Sequence, residues 1–126
     1  MPQYAAVAAG AILGACLRFA LSTWAAEHIG TDFPYGTFIV NLSGAFVIGL
    51  VLAYLAQRSS VDPLVRLFLV TGLLGGYTTF SSYVWEALSL AEQQAWLRAA
   101  VYVFGSNMLG LMGVWLGATL GRLASA

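Results

Sequence analysis

Charge is scarce in this chain. Only 8% of its 126 residues are Asp, Glu, Lys or Arg, and five bases balance five acids to a formal net charge of zero. Soluble domains carry roughly 25% charged residues, and nucleic-acid binding draws on clustered basic groups, so neither a soluble domain nor a nucleic-acid partner is expected. Cysteine is nearly absent too. The one thiol, Cys16, lies among Gly14, Ala15 and Leu17 and reads as a small buried group without chemistry. His28 stands alone, no metal-ligand cluster is visible, and no nucleophile, base and orienting acid can be assembled from the few polar groups. The chain is not expected to be an enzyme.

What is present is apolar: 60% of the residues, with a mean hydropathy of +0.84. Polar punctuation cuts out four apolar segments, 4–26, 35–56, 64–90 and 96–123. At about 1.5 Å per residue each can cross a hydrocarbon core of about 30 Å. The loops between them, 27–34, 57–63 and 91–95, leave no room for a soluble domain. The first segment is too long for a cleaved signal peptide and lacks a charged leader, so it reads as a retained helix. An all-α integral membrane protein is expected, a single four-helix transmembrane domain over residues 1–126.

Tyr4, Trp24, Phe33, Tyr35, Tyr54, Trp85 and Trp96 cluster near the span ends, where amphipathic rings anchor helices at headgroup depth. Gly10 and Gly14, and Gly113, Gly117 and Gly121, recur at helical spacing and read as packing seams. Orientation is weakly specified. Arg58, Arg66 and Arg122 fall on the side of the termini, Arg98 and the deeper Arg18 towards the other. So small an arginine bias permits insertion both ways up, and with it an antiparallel homodimer; the alternative is a single orientation with the termini inside.

Polar residues at membrane depth are functional candidates by default. Arg18 lies eight residues before the end of the first span, about 12 Å along a helix. Both a structural cap on a neighbouring loop and a place in an anion vestibule suit it. Thr37 and Asn41 stand at i and i+4 on one helix face, with Ser43 and Gly44 beside them. That face suits either an interhelical clamp or a wet pore, since an asparagine NH₂ can donate to an anion.

The third segment is the least lipid-like. Gly75 and Gly76 are poor helix formers, and the hydroxyls of Thr78, Thr79, Ser81 and Ser82 compete for backbone groups. A helix break near residues 75–79 is predicted, tolerated at such depth only where protein or a wet cavity surrounds it. It would release carbonyls that attract a cation and amides that attract an anion. Phe80 and Tyr83 share a face of the resumed helix, where positive ring edges can meet an anion without formal charge. Tyr102 and Ser106, i and i+4 in the fourth span, add neutral donors. Glu86 is the only acid inside a span and its late position suits an entrance. A channel or transporter for a small ion is the expectation.

Taken together, the four short spans, GTFIVN at 36–41, GGYTTFSSY at 75–83, and Tyr102 with Ser106 resemble the Fluc, or CrcB, family of fluoride channels over essentially the whole chain. The resemblance implies a dual-topology homodimer in a bacterial inner membrane, with two antiparallel fluoride pathways that passively export the ion and relieve its toxicity. It implies a structural Na⁺ at the dimer centre, held by backbone carbonyls at Gly75 and Thr78. Asn41 matches the pore asparagine and Phe80 the first of two pore phenylalanines. Thr37, Tyr102 and Ser106 correspond to polar pathway positions, Thr79, Ser81 and Ser82 to the hydroxyl-bearing stretch, and Arg18 to a first-span arginine of structural or vestibular role. Tyr83 departs from the pattern, standing where the second phenylalanine is usual, and Tyr77 replaces a frequent phenylalanine. The competing reading is a dual-topology, proton-coupled exporter of the small multidrug type, whose chemistry needs a deep carboxylate; the first span has none. A structural subunit without transport would account for the glycines, Thr37 and Asn41, but leaves the hydroxyl-rich break without a purpose.

Overall fold

In hydrocarbon only internal hydrogen bonding satisfies a backbone, so apolar runs of this length fold as helices. In the computed structural model, which describes residues 1–126, four helical spans form: Pro2–His28, Tyr35–Ala56, Pro63–Glu92 and Trp96–Ser125. The second span and the start of the fourth coincide with the expected bounds, and the other ends lie a turn or less further out. Prolines occupy the first turns of the first and third spans, where a missing N–H is harmless. Asp62 caps the third span by accepting a hydrogen bond from Leu64 N at 2.8 Å.

The third span is interrupted within the expected stretch, at its far end. Pro63–Arg66 is α-helical, Leu67–Leu74 is wound as a π-helix, and Gly75–Tyr77 returns to α. Only Thr78 and Thr79 leave the helix, with φ/ψ of −82°/157° and −147°/122°. Phe80–Glu92 then resumes. Gly75 and Gly76 are therefore not the turn. Gly76 serves a close approach instead, since a Cβ there would lie 2.7 Å from Ala11 O of the first span.

Packing follows the small residues. The first span lies along the first half of the third, where a side chain on Gly10 or Gly14 would collide with the Phe68 or Leu73 carbonyl of the π-helical stretch. The second and fourth spans form the other close pair, with Gly117 and Gly121 against the Phe46 and Leu50 carbonyls. The second half of the third span leans on the fourth and touches the second. Both expected seams thus exist, although Gly113 sits more loosely, a Cβ there standing 3.6 Å from Leu42 O.

Only 14 of 126 residues are buried in the single chain, so lipid or protein must cover most of its apolar surface. The compact exception is a cluster of Leu90, Ala99 and Tyr102, with Phe33, Phe38 and Tyr83 packed on it. Cys16 is exposed on the outer surface of the first span, which corrects the expectation of a buried thiol. Its helix presents Gly10 and Gly14 to the third span, which leaves position 16 facing away. The anchoring aromatics are tied to their surroundings: Trp24 stacks on His28 at 5.3 Å, and Arg58 lies 4.4 Å above the Tyr54 ring.

Candidate functional site

The break is built by its neighbours. With Thr78 and Thr79 extended, Thr79 N no longer reaches back to Gly75 O as it would in an α-helix. It donates instead to Asn41 Oδ1 at 2.9 Å, while Asn41 Nδ2 donates to Thr79 O at 2.9 Å. The asparagine side chain thereby does for Thr79 what a helical turn would have done. Asn41 is the interhelical clamp, and it retains one amide hydrogen beyond that pair.

Each side of the break is closed by its own residues. Thr78 turns N–H and Oγ1 back onto Leu74 O, both at 3.0 Å. Thr79 caps the resumed helix, its Oγ1 accepting from Ser82 N at 3.3 Å and bonding Ser82 Oγ at 3.2 Å, with Ser81 Oγ 3.5 Å away. Arg18 reaches over from the first span and donates from Nε to Gly76 O at 3.1 Å. Of the two roles open to it, the structural tie is the one this contact displays. The Thr78 carbonyl accepts no backbone or side-chain hydrogen bond.

Two cavities flank this point. On one face, Gly75, Thr78, Thr79, Phe80, Asn41 and Gly44 help line a hollow of about 360 Å³, floored by Val70, Leu74 and Val114. Phe80 stands at its rim, 75% exposed, a large ring with no cover in the single chain. On the other face a second cavity, also about 360 Å³, is lined by Arg18, Ser22, Thr37, Thr79, Ser82 and Glu86. Thr79 borders both.

Glu86 organises the second cavity. Its two oxygens accept from Thr37 Oγ1 at 2.8 Å and Tyr102 OH at 2.7 Å, bonds to a carboxylate that are stronger than neutral ones. Thr37 and Tyr102 are both buried, at 7% and 0% exposure, so the carboxylate fixes two otherwise enclosed hydroxyls. Their protons are committed to Glu86 and must be released before either can serve an anion. Ser106, one turn beyond Tyr102, has a buried hydroxyl with no partner, a donor free for any polar species that comes near it.

The aromatic pair is also in place. Phe80 and Tyr83 lie 5.8 Å apart and tilted by 46°, and Tyr83 meets Tyr102 at 5.3 Å and 63°. The Tyr83 hydroxyl accepts from Asn107 Nδ2 at 2.9 Å. Asn107 is not among the residues that the sequence motifs single out. An asparagine in an apolar span is itself a signal, because it must find partners. Ser43 Oγ and Tyr77 OH, 2.8 Å apart, tie the second and third spans together just before the break.

Thr37, Asn41, Thr79, Ser82, Tyr83, Glu86, Tyr102 and Ser106 thus gather along the contact of the second, third and fourth spans. Ser81 and Phe80 face outward from it, and Gly75 and Thr78 border the outward hollow. Four apolar spans around a broken helix lined with hydroxyls define an integral membrane protein of the kind that carries small solutes.

Comparison with known proteins gives the family. The model of the CrcB-like, camphor-resistance (CrcB) family matches residues 5–118, and the chain belongs to that family of bacterial membrane proteins. It is 50% identical over 118 residues to a Roseiflexus sp. (strain RS-1) protein named fluoride-specific ion channel FluC, covering 94% of this chain and 95% of that one. Proteins of the same name from Chloroflexus aurantiacus (strain ATCC 29366 / DSM 635 / J-10-fl) and Aquifex aeolicus (strain VF5) are each 48% identical, covering 97% and 93% of this chain and 97% and 94% of their own.

Proposed function

We propose that the protein is a fluoride-selective channel that lets the ion leave the cell passively, working as an antiparallel, dual-topology homodimer with two pathways and a central structural Na⁺. Near-complete coverage of relatives named fluoride-specific ion channels carries the choice of ion. The break clamped by Asn41, between two cavities, carries the choice of mechanism.

Fluoride is the smallest halide and surrenders its water reluctantly, so a pathway must offer replacement donors without holding the ion too tightly. Along the contact of the second, third and fourth spans the uncommitted donors are neutral: the second Asn41 amide hydrogen, the Tyr83 and Ser106 hydroxyls, and the edge of the Phe80 ring. Several weak contacts in series permit both entry and exit. Arg18 bears the one positive charge on the Glu86 cavity and offsets that carboxylate where an anion would enter. Direction of flow then follows the gradient.

The hollow beside the break favours a second, inverted copy as its cover. Phe80 projects there uncovered, and Gly75 and Thr78 line it. A Thr78 carbonyl without a donor, and a Gly75 carbonyl freed of Thr79 N, suit a hard cation. Two carbonyls are few for such an ion, and a facing copy would double them. Na⁺ bound there would supply positive charge to hold two broken helices together, with Gly75 and Thr78 as its ligands.

Purified protein in potassium-loaded liposomes tests the reading, with a fluoride electrode recording release after a potassium ionophore is added. Rapid loss of fluoride, with chloride unable to substitute, is expected. Vesicles that empty only under a proton gradient would exclude a channel and restore the proton-coupled exporter, and vesicles that hold their fluoride under both conditions would leave a structural subunit without transport.

A further inference from the structure

We propose that Asn107 is a positioning residue for the ion pathway: it holds the Tyr83 ring in place and leaves the Tyr83 hydroxyl proton free to meet a small hard anion. The inference rests on the channel reading above. Asn107 Nδ2 makes two bonds, to Val103 O of its own helix at 2.8 Å and to Tyr83 OH at 2.9 Å. The first, to the residue one turn back, fixes the rotation of the amide. The second N–H is then aimed across to the third span, and the amide cannot turn without losing one bond or the other.

The consequence for Tyr83 is directional. A phenol has one proton and can accept as well as donate. Because Asn107 donates to it, the phenol oxygen acts there as acceptor, and no protein group takes its proton. A hydroxyl that accepts one hydrogen bond becomes a stronger donor in the next. The opposite constraint comes from Tyr102, whose ring meets Tyr83 at 5.3 Å and is itself held by Glu86 at 2.7 Å. Two residues of the fourth span thus set the attitude of a side chain that sits 5.8 Å from Phe80.

Untethered, the same hydroxyl would be free to swing towards another acceptor and carry its ring with it. With phenylalanine at 83 there is no oxygen to tether, and Asn107 has nothing to hold. The two positions should therefore act as one unit. Fluoride should feel the loss more than chloride, since the smaller ion gains more from an O–H donor.

The test is a four-member cycle in the liposome assay: the unaltered protein, Asn107→Leu, Tyr83→Phe and the double variant, with fluoride and chloride release measured for each. Asn107→Leu should slow fluoride release roughly tenfold when tyrosine stands at 83, about the rate equivalent of one net hydrogen bond. In the Tyr83→Phe background the same change should alter release less than about twofold. Equal losses in both backgrounds, or no loss with tyrosine present, overturn the proposal. Should Asn107→Leu fail to assemble, Asn107→Asp replaces it, since a carboxylate reverses the bond and takes the phenol proton; its loss must again be larger with tyrosine than with phenylalanine. An unaltered protein that passes no fluoride defeats the channel reading and this inference together, an outcome distinct from a conducting protein whose cycle shows no coupling.

Discussion

Asn41 and Thr79, thirty-eight positions apart, exchange a pair of 2.9 Å hydrogen bonds that stand in for the helical bonds lost at the break. The amide matches both the N–H and the C=O of one residue, which neither a carboxylate nor an aliphatic side chain can do. Asn41→Asp keeps the acceptor for Thr79 N, removes the donor to Thr79 O, and sets a negative charge beside the proposed pathway. Fluoride release in the liposome assay should fall at least about a hundredfold, the combined effect of an unpaired carbonyl and charge repulsion at roughly 1.4 kcal/mol per decade. Unchanged release would remove Asn41 from the pathway.

Arg18 distinguishes a geometric tie from a charge. Its Nε bond to Gly76 O, 3.1 Å, needs the planar guanidinium, whereas an electrostatic role in the Glu86 cavity needs only a cation. Arg18→Lys should therefore lose nearly as much fluoride release as Arg18→Gln, within about threefold, if the rate tracks one lost hydrogen bond. Full recovery by lysine would mean that charge, and not the tie, is what position 18 contributes.

How much of this could be read from residues alone differs by feature. The four spans were legible because lipid accepts little besides long apolar helices, and the second span needed no adjustment at either end. Thr37 and Asn41 were legible as a face, and the structure brings that face to Glu86 and Thr79. The break falls inside the expected 75–79, but which of those residues leave the helix is not legible, because glycine has two uses: Gly76 is spent on contact with Ala11, and the turn falls to two threonines that Asn41 holds open. The π-helical stretch over Leu67–Leu74, against which Gly10 and Gly14 seat, leaves no pattern in composition, since its residues are those of an ordinary apolar helix. Asn107 pairs with a partner twenty-four positions away, which no local spacing reveals.

The glycines of the fourth span should respond unequally. A Cβ on Gly117 would run into Phe46 O and come within 2.9 Å of Leu50 N, while one on Gly110 meets nothing within 4 Å. Gly117→Ala should lower the thermal midpoint in detergent clearly, in keeping with the 1–3 kcal/mol of an overpacked contact. Gly110→Ala should leave it unchanged or raise it slightly, alanine being the better helix former. Equal midpoints would show that the second and fourth spans can separate to admit a methyl group.

The proposed inverted pair makes its own demand on topology. The second loop, with Arg58, shares a side with the termini, and Arg98 lies at the other end of the bundle, where its Nη1 donates to Asp32 O at 3.2 Å. Ser59, Ser60, Thr31 and Gln93 are exposed loop positions on the two sides. Ser59→Arg with Ser60→Arg should drive every copy in with its termini inside, and Thr31→Arg with Gln93→Arg should drive every copy the other way, because arginine near span ends sets orientation. If conduction needs one copy of each orientation, either variant produced alone should be silent in fluoride release. Co-production should restore at least about half of the unaltered rate, since mass action then pairs opposite orientations. Full release from one variant alone, once labelling of an added terminal cysteine has verified its single orientation, would mean that copies pointing the same way suffice; the hollow beside Phe80 would then need a different cover.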